Sequence, residues 1–188
     1  MNELCHHGVK GQKWGVRRYQ NKDGSLTAEG RKRRYGADTY RYINKTGDSV
    51  QKIVDTMSRK ERHLLGGDPS KPYMSEDEIK YVAKRFIERY KNEPVAFLDI
   101  YYASNGAGTI AIGTRSDARG KGHANSLVKK AQDWLDSPQA KDILGMNTLN
   151  WFARNENEAS IGLAKKSGFV ERDDYKDDKE WWGGRYRR

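Results

Sequence analysis

The hexapeptide RGKGHA, residues 119–124, places two glycines and two cations directly ahead of a helix-like pattern. Gly120 and Gly122 have no Cβ, so a ligand can approach the backbone closely at both positions. Amides at the start of a helix lack intrahelical acceptors, and together with the helix dipole they attract anions. Arg119 and Lys121 add positive charge. The stretch predicts a phosphate or diphosphate site, although a surface turn with solvated cations has the same composition.

Two familiar nucleotide motifs do not fit this stretch. It lacks the spacing of the P-loop and the Gly-Lys-Ser/Thr that closes that motif. Gly120 and Gly122 match the first two positions of GxGxxG, but the third glycine and an acidic partner for a ribose are absent. The prediction of a pyrophosphate-type ligand therefore depends on the elements around the stretch.

The flanking elements form a strand–helix–strand unit. TIAIGT (109–114) is typical of a strand, and an apolar stripe at helical spacing follows the glycines. MNTLNWFAR (146–154) predicts the next strand. Such a unit indicates a right-handed crossover between parallel strands. A second helix, within 155–168, is expected to end at Gly168, and a last strand and hairpin follow it. The helical stripe consists of Leu127, Val128, Ala131, Trp134 and Leu135.

The region upstream predicts helices and one hairpin. Val50, Ile53, Val54 and Met57 have helical spacing. Ser75 and Glu78 form a capping box ahead of an apolar stripe, which predicts one long helix within 73–94. VAFLDIYYAS (95–104) predicts a strand that a turn joins to TIAIGT. The fold class is therefore mixed α/β, with an antiparallel hairpin that leads into a parallel pair.

Charge divides the chain into two parts. The net charge is +10, and residues 1–46 hold eleven Lys or Arg against four Asp or Glu. They have few aliphatic residues, which predicts a basic, loosely ordered arm followed by a domain over 47–188. The domain is near neutral until the closing RYRR, so it does not resemble a nucleic-acid-binding domain. The two basic ends could contact phosphates or acidic surfaces without specificity.

No run of apolar residues is long enough for a transmembrane helix, and the N-terminus has no apolar signal region. We therefore expect no contact with a membrane. The single cysteine, Cys5, predicts an intracellular, reducing setting. Cys5, His6 and His7 are adjacent, but no second Cys/His pair lies at zinc-ligand spacing, so no metal site is expected.

Two segments together resemble motifs of the GNAT superfamily of N-acetyltransferases. The family's acetyl-CoA loop reads Arg/Gln-x-x-Gly-x-Gly/Ala, and Arg119, Gly122 and Ala124 stand at those positions. NEASIGLAKKSGF (157–169) is similar to a second family segment, which it matches at Asn157, Ser160, Leu163, Lys166, Gly168 and Phe169. The order of the two segments, and the strand between them, also fit. The resemblance covers about residues 47–182 and implies a GNAT-like acyl-CoA N-acyltransferase fold.

This resemblance implies acetyl-CoA (coenzyme A) as cofactor, and direct attack of an amine on its thioester. The strand backbone at Ile112 and Thr114 would pair with the pantetheine arm, and an N–H near Ile112 would polarise the thioester carbonyl. Asn157 would hydrogen-bond the cofactor. The pyrophosphate would lie on the loop amides, where we name Arg119, Gly120, Lys121, Gly122, His123 and Ala124 as cofactor-binding residues.

The sequence leaves alternatives for two catalytic roles, the general acid and the general base. The tyrosine by which many family members protonate the leaving thiolate is replaced here by Ala164. Tyr101, Tyr102, Tyr175 or a water could substitute for it, and a protein that binds coenzyme A with little catalysis is the alternative. Asp99, a lone acid in an apolar strand, is the candidate general base, because a partly buried carboxylate has a raised pKa. A structural strand acid is the competing interpretation.

The N-terminal arm also resembles segments of proteins encoded by phages of Gram-positive bacteria, which suggests a docking or tethering role. This resemblance implies a location in the cytoplasm of a bacterial host, or on a virion. Three hypotheses follow for the whole chain. The first is a phage-encoded N-acetyltransferase that acts on an unidentified amine. The second is a GNAT-fold structural or interaction protein of a virion, and the third a nucleic-acid-binding accessory protein. The arm would then contact a virion protein, a host protein or nucleic acid.

Overall fold

The computed structural model describes residues 19–21, 23–66, 70–103 and 106–188, except for the side chains of residues 76 and 77. The predicted features at Cys5, His6 and His7 lie outside these ranges. The helices are α1 (Ala28–Lys45), α2 (Gly47–Asp55), α3 (Arg59–Leu64), α4 (Glu76–Ile79), α5 (His123–Trp134) and α6 (Glu158–Lys166). The strands are β1 (Val82–Tyr90), β2 (Glu93–Tyr102), β3 (Ala107–Thr114), β4 (Thr148–Arg154), β5 (Val170–Glu171) and β6 (Trp181–Arg187).

The six strands form one mixed sheet in the order β1-β2-β3-β4-β6-β5. β1, β2 and β3 are successive antiparallel neighbours. β4 is parallel to β3, and α5 lies in the connection between them, which confirms the predicted crossover. The C-terminal strand β6 inserts between β4 and β5 and is antiparallel to both. The mixed α/β class is confirmed.

The predicted helix within 73–94 is wrong beyond its first turn. Its capping box at Ser75 and Glu78 is present, but α4 ends at Ile79 and the chain continues as β1. A two-residue turn, Lys91–Asn92, then leads into β2 with positive φ at both residues, as in a type I′ hairpin. The apolar residues of β1 also fit a strand, and pairing along the whole of β2 stabilises that alternative.

Alternating side chains of β2 join two apolar layers. Ala96, Leu98 and Ile100 pack in the larger core with Leu127 and Val128 of α5. Phe97 packs on the opposite face with the α2 residues Val50, Ile53 and Val54, which confirms the helical stripe predicted there. β2 is therefore buried on both faces, as its nearly continuous apolar sequence requires.

Residues 28–45 differ from the loosely ordered arm that composition predicts. They form α1, which Thr27 caps by accepting a hydrogen bond from the amide of Gly30. Ile43 is fully buried, and the Tyr35 hydroxyl donates to the carbonyl of Ala83 in β1 at 2.6 Å. The Arg85 guanidinium also donates to the carbonyl of Ile43 at 3.1 Å. One buried aliphatic and two long-range hydrogen bonds thus dock a helix whose other residues are mostly polar. No helix in the described part of the chain has the length and apolar character needed to cross a membrane.

Candidate active site

The two parallel strands β3 and β4 separate part of the way along their length. They pair from Ala107 with Thr148 as far as Ile110 with Trp151, and then diverge. Beyond that point β3 remains paired with β2, and β4 with β6. The divergence opens a cleft of about 580 Å³. In this gap the facing edges of β3 and β4 do not hydrogen-bond to each other.

The backbone of β3 directs amides into this gap. Arg115 donates to the carbonyl of Val95 at 2.8 Å, just beyond the β2–β3 ladder. Because hydrogen-bonded pairs alternate in an antiparallel ladder, Gly113 also bonds toward β2, and Ile112 and Thr114 face the other way. β4 has already diverged there. The amides of Ile112 and Thr114 are consequently available to an extended ligand.

The glycine loop borders the same cleft. Gly120 and Gly122 have φ of +74° and +83°, and a Cβ built on either would meet no atom within 4 Å. Both positions therefore favour glycine because of their positive φ, and open space lies beside their backbone. Gly122 is the N-cap of α5 and provides no side-chain acceptor. Among the described residues, none accepts a hydrogen bond from the amides of residues 120–125. This row of amides is suited to an anion.

The cations of the loop are partly engaged by the protein itself. Arg119 forms an ion pair with Glu61 of α3, and its Nη2 lies 3.5 Å from the carbonyl of Thr114. The Arg119 guanidinium and the amide of Ser58 lower the pKa of Glu61 to about 2. Lys121 donates to the carbonyl of Asp117 at 3.1 Å and lies outside the cleft lining. The unbonded loop amides, rather than these side chains, are the free donors.

Helix α3 spans the cleft with few apolar contacts. It has no buried residue, and it begins with a complete capping box formed by Ser58 and Glu61. Besides the Glu61–Arg119 pair, Lys60 contacts Glu156 in the β4–α6 connection at 3.6 Å. The Lys60–Glu156 pair is largely exposed and contributes little to stability, whereas the Glu61–Arg119 pair is only partly exposed. They nevertheless attach α3 to the glycine loop on one side and to the start of α6 on the other.

Ser160 places a hydroxyl on the cleft wall opposite the loop. Asn157 caps α6 by accepting a hydrogen bond from the amide of Ser160 at 3.2 Å, and both residues line the cleft. The indole Nε1 of Trp151 donates to Ser160 Oγ at 3.0 Å. Because an indole N–H can only donate, the proton of the Ser160 hydroxyl must point elsewhere. Its open side is the cleft.

Asp99 is not part of the cleft. Its carboxylate accepts two hydrogen bonds from the Arg85 guanidinium, at 2.7 and 2.6 Å, and both side chains are buried. The Tyr73 hydroxyl lies 3.5 Å from it and also contacts the hydroxyl of Tyr101. Burial raises the pKa of Asp99, and the Arg85 hydrogen bonds oppose that rise. This geometry favours the structural interpretation over a general base.

The residues proposed as substitutes for the missing tyrosine do not reach the cleft. Ala164 itself is fully buried in the main core. Tyr101 contacts Tyr73, and burial raises its pKa well above the usual value. Tyr102 lies at the end of β2 remote from the divergence, where it pairs with Gly108. Tyr175 packs against the ring of Phe152, with the ring centroids 5.3 Å apart. None of the three tyrosines lines the cleft.

Most of the predicted cofactor residues do meet in one place. The cleft is lined by Ile112, Thr114, Arg119, Gly120, Gly122, His123, Ala124 and Asn157, whereas Lys121 and Asp99 lie outside. Sequence reasoning missed Glu61 and Ser160 as cleft residues. Ser160 was visible within the second motif, but its contact with Trp151 was not. Glu61 had only a capping signature, which carries no information about a distant loop.

Comparison with known families agrees with this geometry. The model described as "Acetyltransferase (GNAT) family" matches residues 54–169, about three fifths of the chain. A separate family of unknown function, DUF7211, matches residues 1–21. No curated protein gives a significant match to the chain.

Solved acetyltransferases share the fold at low sequence identity. The GNAT domain of S. lividans PAT is 11% identical with a TM-score of 0.60, over 77% of this chain and 86% of that one. An acetyltransferase from Thermus thermophilus is 15% identical with a TM-score of 0.58, over 77% and 92%. An N-acetyltransferase from Staphylococcus aureus is 18% identical with a TM-score of 0.52, over 76% and 93%. These similarities concern the fold alone.

Proposed function

The chain belongs to the GNAT family of acetyltransferases, and from this we propose that it is an acetyl-CoA-dependent N-acetyltransferase. One observation carries the proposal. A row of amides without acceptors, at residues 120–125, borders the same cleft as the unpaired edge of β3. An anion site and an open strand edge together match a ligand that has a diphosphate and an extended amide-containing arm.

The residues present fit coenzyme A on the observations above. The loop amides and the start of α5 would hold the diphosphate, with the open space beside Gly120 and Gly122 admitting its oxygens. The backbone of Ile112 and Thr114 would pair with the pantetheine amides as an added strand. Asn157 uses its oxygen as a helix cap, which leaves its side-chain NH₂ to donate into the cleft.

Acetyl-CoA, when bound, supplies a thioester whose carbonyl carbon is open to attack by an amine. The Ile112 amide would donate to the carbonyl oxygen, where negative charge develops during the attack. Ser160 holds a proton at Oγ that faces the cleft, and we assign it to hydrogen-bond the departing sulfur. A thiol pKa near 8.5 makes this group a tolerable leaving group, so a hydrogen bond in place of a full proton transfer is sufficient.

The described cleft offers little for deprotonating the amine. Glu61 lines it, but with a pKa of about 2 it is a weak base at neutral pH. Asp99 is remote and paired with Arg85. We propose that the amine is delivered neutral or loses its proton to water. The apolar side chains of Met57, Leu64 and Leu65 line the cleft, and favour an acceptor with an apolar group near the amine.

The proposal is tested with the full-length protein. Isothermal calorimetry with acetyl-CoA and with coenzyme A measures binding, and release of free thiol in the presence of a panel of amines, aminoglycosides and peptides measures transfer. We expect saturable binding and thiol release with at least one amine class. Ligand at one hundred times its Kd should also stabilise the protein by about 2.7 kcal/mol.

The control is chosen to separate cofactor binding from folding. Gly122→Ala adds a Cβ beside the loop amides, whereas Gly24→Ala adds one at a similar φ of +86° outside the cleft. Gly24→Ala should retain both binding and transfer. No heat with either ligand would overturn the enzyme proposal. Binding without transfer to any amine would favour the alternative, a catalytically weak GNAT-fold interaction protein.

The N-terminal arm is proposed as a separate docking element. Its first 21 residues match a family model of their own, which does not overlap the acetyltransferase match at 54–169. This supports a modular segment that tethers the domain to another protein. A phage origin, and a virion or host protein as the tethering partner, are further parts of this proposal. Co-purification of the full chain, but not of a chain without residues 1–21, with proteins of a producing host tests it.

A further inference from the structure

A second groove, away from the proposed catalytic cleft, is lined by aromatic rings and cations. It has a volume of about 280 Å³ and lies where α1 crosses the start of β1. We define the tyrosine groove by Lys32, Tyr35, Tyr40, Lys80, Tyr81 and Tyr102. Tyr102 pairs with Gly108 of β3, four residues before Ile112 in the cleft. At a strand rise of 3.3 Å per residue, the two places are about 13 Å apart along β3.

Three of its tyrosines are exposed. The exposed fractions are 48% for Tyr40, 57% for Tyr81 and 45% for Tyr102. Their rings border a concavity and do not project singly from a convex surface. An exposed aromatic cluster around a groove is a common feature of binding sites, because the rings offer contact area at low entropic cost.

The scaffold beneath these rings is well fixed. The amide of Tyr102 donates to the carbonyl of Tyr81 at 2.9 Å, which joins the backbones of two of the tyrosines. On the other wall, the Tyr35 hydroxyl donates to the carbonyl of Ala83 and fastens α1 to β1. The groove is therefore largely formed before any ligand arrives, which reduces the entropy lost on binding.

The positive charge of the groove favours an anionic ligand. Its charged lining residues are Lys32 and Lys80, and no carboxylate lines it in the described part of the chain. The helix that forms one wall carries six Lys or Arg against two Asp or Glu. Aromatic faces flanked by cations are the combination with which proteins hold unpaired nucleotides, since every base can stack on a ring while phosphates meet the cations.

We propose that the tyrosine groove binds a nucleotide unit of single-stranded nucleic acid. A base stacks on the exposed rings of Tyr40, Tyr81 or Tyr102, and the neighbouring phosphates contact Lys32 and the basic residues of α1. Stacking on rings that border a concavity requires a base that is free of the helical stack, so a duplex should bind less well. The proposal is independent of acetyl transfer, because the groove and the cleft share no lining residue.

Fluorescence anisotropy with the full-length protein tests the proposal, using a labelled single-stranded oligonucleotide, the same sequence as a duplex, and a free mononucleotide. Tyr40→Ala is the test variant and Tyr42→Ala its matched control. Both residues are tyrosines of α1 with similar exposure, 48% and 45%, but only Tyr40 lines the groove. Loss of one stacked base should weaken binding roughly fivefold to hundredfold in Tyr40→Ala. Tyr42→Ala should bind as the unaltered protein does.

Salt dependence and a competitor give further readouts. The slope of log K against log salt is negative, and Lys32→Ala should reduce its magnitude by roughly 0.7, the value for one phosphate contact on a single strand. An acidic peptide should not displace the oligonucleotide. Equal loss in the Tyr40 and Tyr42 variants, equal binding of duplex and single strand, or displacement by the peptide would each overturn the assignment. Binding through residues 1–21 alone would leave both tyrosine variants unaffected, and that result would likewise overturn the assignment. Gly122→Ala should retain oligonucleotide binding even where cofactor binding is lost.

Discussion

The indole of Trp151, on β4, donates to the hydroxyl of Ser160, on α6, at 3.0 Å on the wall of the cleft between β3 and β4. The bond occupies a lone pair of Ser160 Oγ and leaves its proton directed away from the indole. The hydroxyl lies one helical turn before Ala164, where many family members carry a tyrosine. A donor is thus present in the cleft although the tyrosine is absent.

Ser160→Ala should therefore reduce kcat with little change in the KM for acetyl-CoA. Removing a positioned donor from the leaving group is expected to lower kcat roughly a hundredfold. Steady-state kinetics with the best amine of the panel measure the effect. Ser160→Thr retains the hydroxyl and should recover most of the rate. An unchanged kcat in Ser160→Ala would assign the proton to water.

Gly122→Ala should weaken binding of acetyl-CoA at least about tenfold, equivalent to about 1.4 kcal/mol. The added Cβ would occupy the space beside amides that have no partner in the described structure. Alanine at positive φ also costs about 1–2 kcal/mol of folding stability. Gly24→Ala should show the same loss of stability without the loss of affinity, by denaturant unfolding and calorimetry. A parallel loss of affinity in both variants would attribute the effect to folding.

Asp99→Asn should destabilise the protein by about 3–5 kcal/mol, because it leaves the buried Arg85 guanidinium without its counter-charge. The double variant Arg85→Met, Asp99→Leu should recover much of that loss, as measured by urea unfolding. At a temperature where the single variant is folded, its kcat and pH profile should match those of the unaltered protein. Loss of an ionisation from the pH–rate profile would instead restore Asp99 as a general base.

The Glu61–Arg119 ion pair should make stability depend on pH in the acidic range. The pKa of Glu61 in the folded state, about 2, lies below the value near 4.3 expected for an unfolded glutamate. Its contribution is therefore fully present above the unfolded pKa and is lost as pH falls toward 2. The free energy of unfolding in urea should differ less between pH 5 and pH 3 in Glu61→Gln than in the unaltered protein. The same comparison with Asp177→Asn, an exposed carboxylate, controls for loss of one negative charge.

Local sequence patterns were sufficient to predict a helix or a cap that depends only on residues a few positions apart. The helical stripe of α5 and the capping box at Ser75 and Glu78 are both present in the structure. These features depend on neighbours within a few residues, so their spacing along the chain contains the required information.

β1 shows where local patterns fail. Its apolar residues satisfy a helical stripe, yet it forms the edge strand of the sheet. Two long-range interactions favour the strand. β2 hydrogen-bonds along the full length of β1, and Asp99 of β2 pairs with Arg85 of β1. A helix in the same place would leave the charged group of Asp99 without this partner. Such long-range partners override the modest difference in local propensity.

The sequence by itself determined the mixed α/β class, the parallel crossover and the glycine loop at the start of α5, because each depends on residue type and short spacing. Only the tertiary structure decided that Asp99 is a buried partner of Arg85, that Glu61 reaches Arg119, and that Ser160 accepts from Trp151 on the cleft wall. Each of these is a contact between residues distant in the chain, or depends on one. Their geometry exists only after the sheet has formed, since strand order and divergence set which side chains meet.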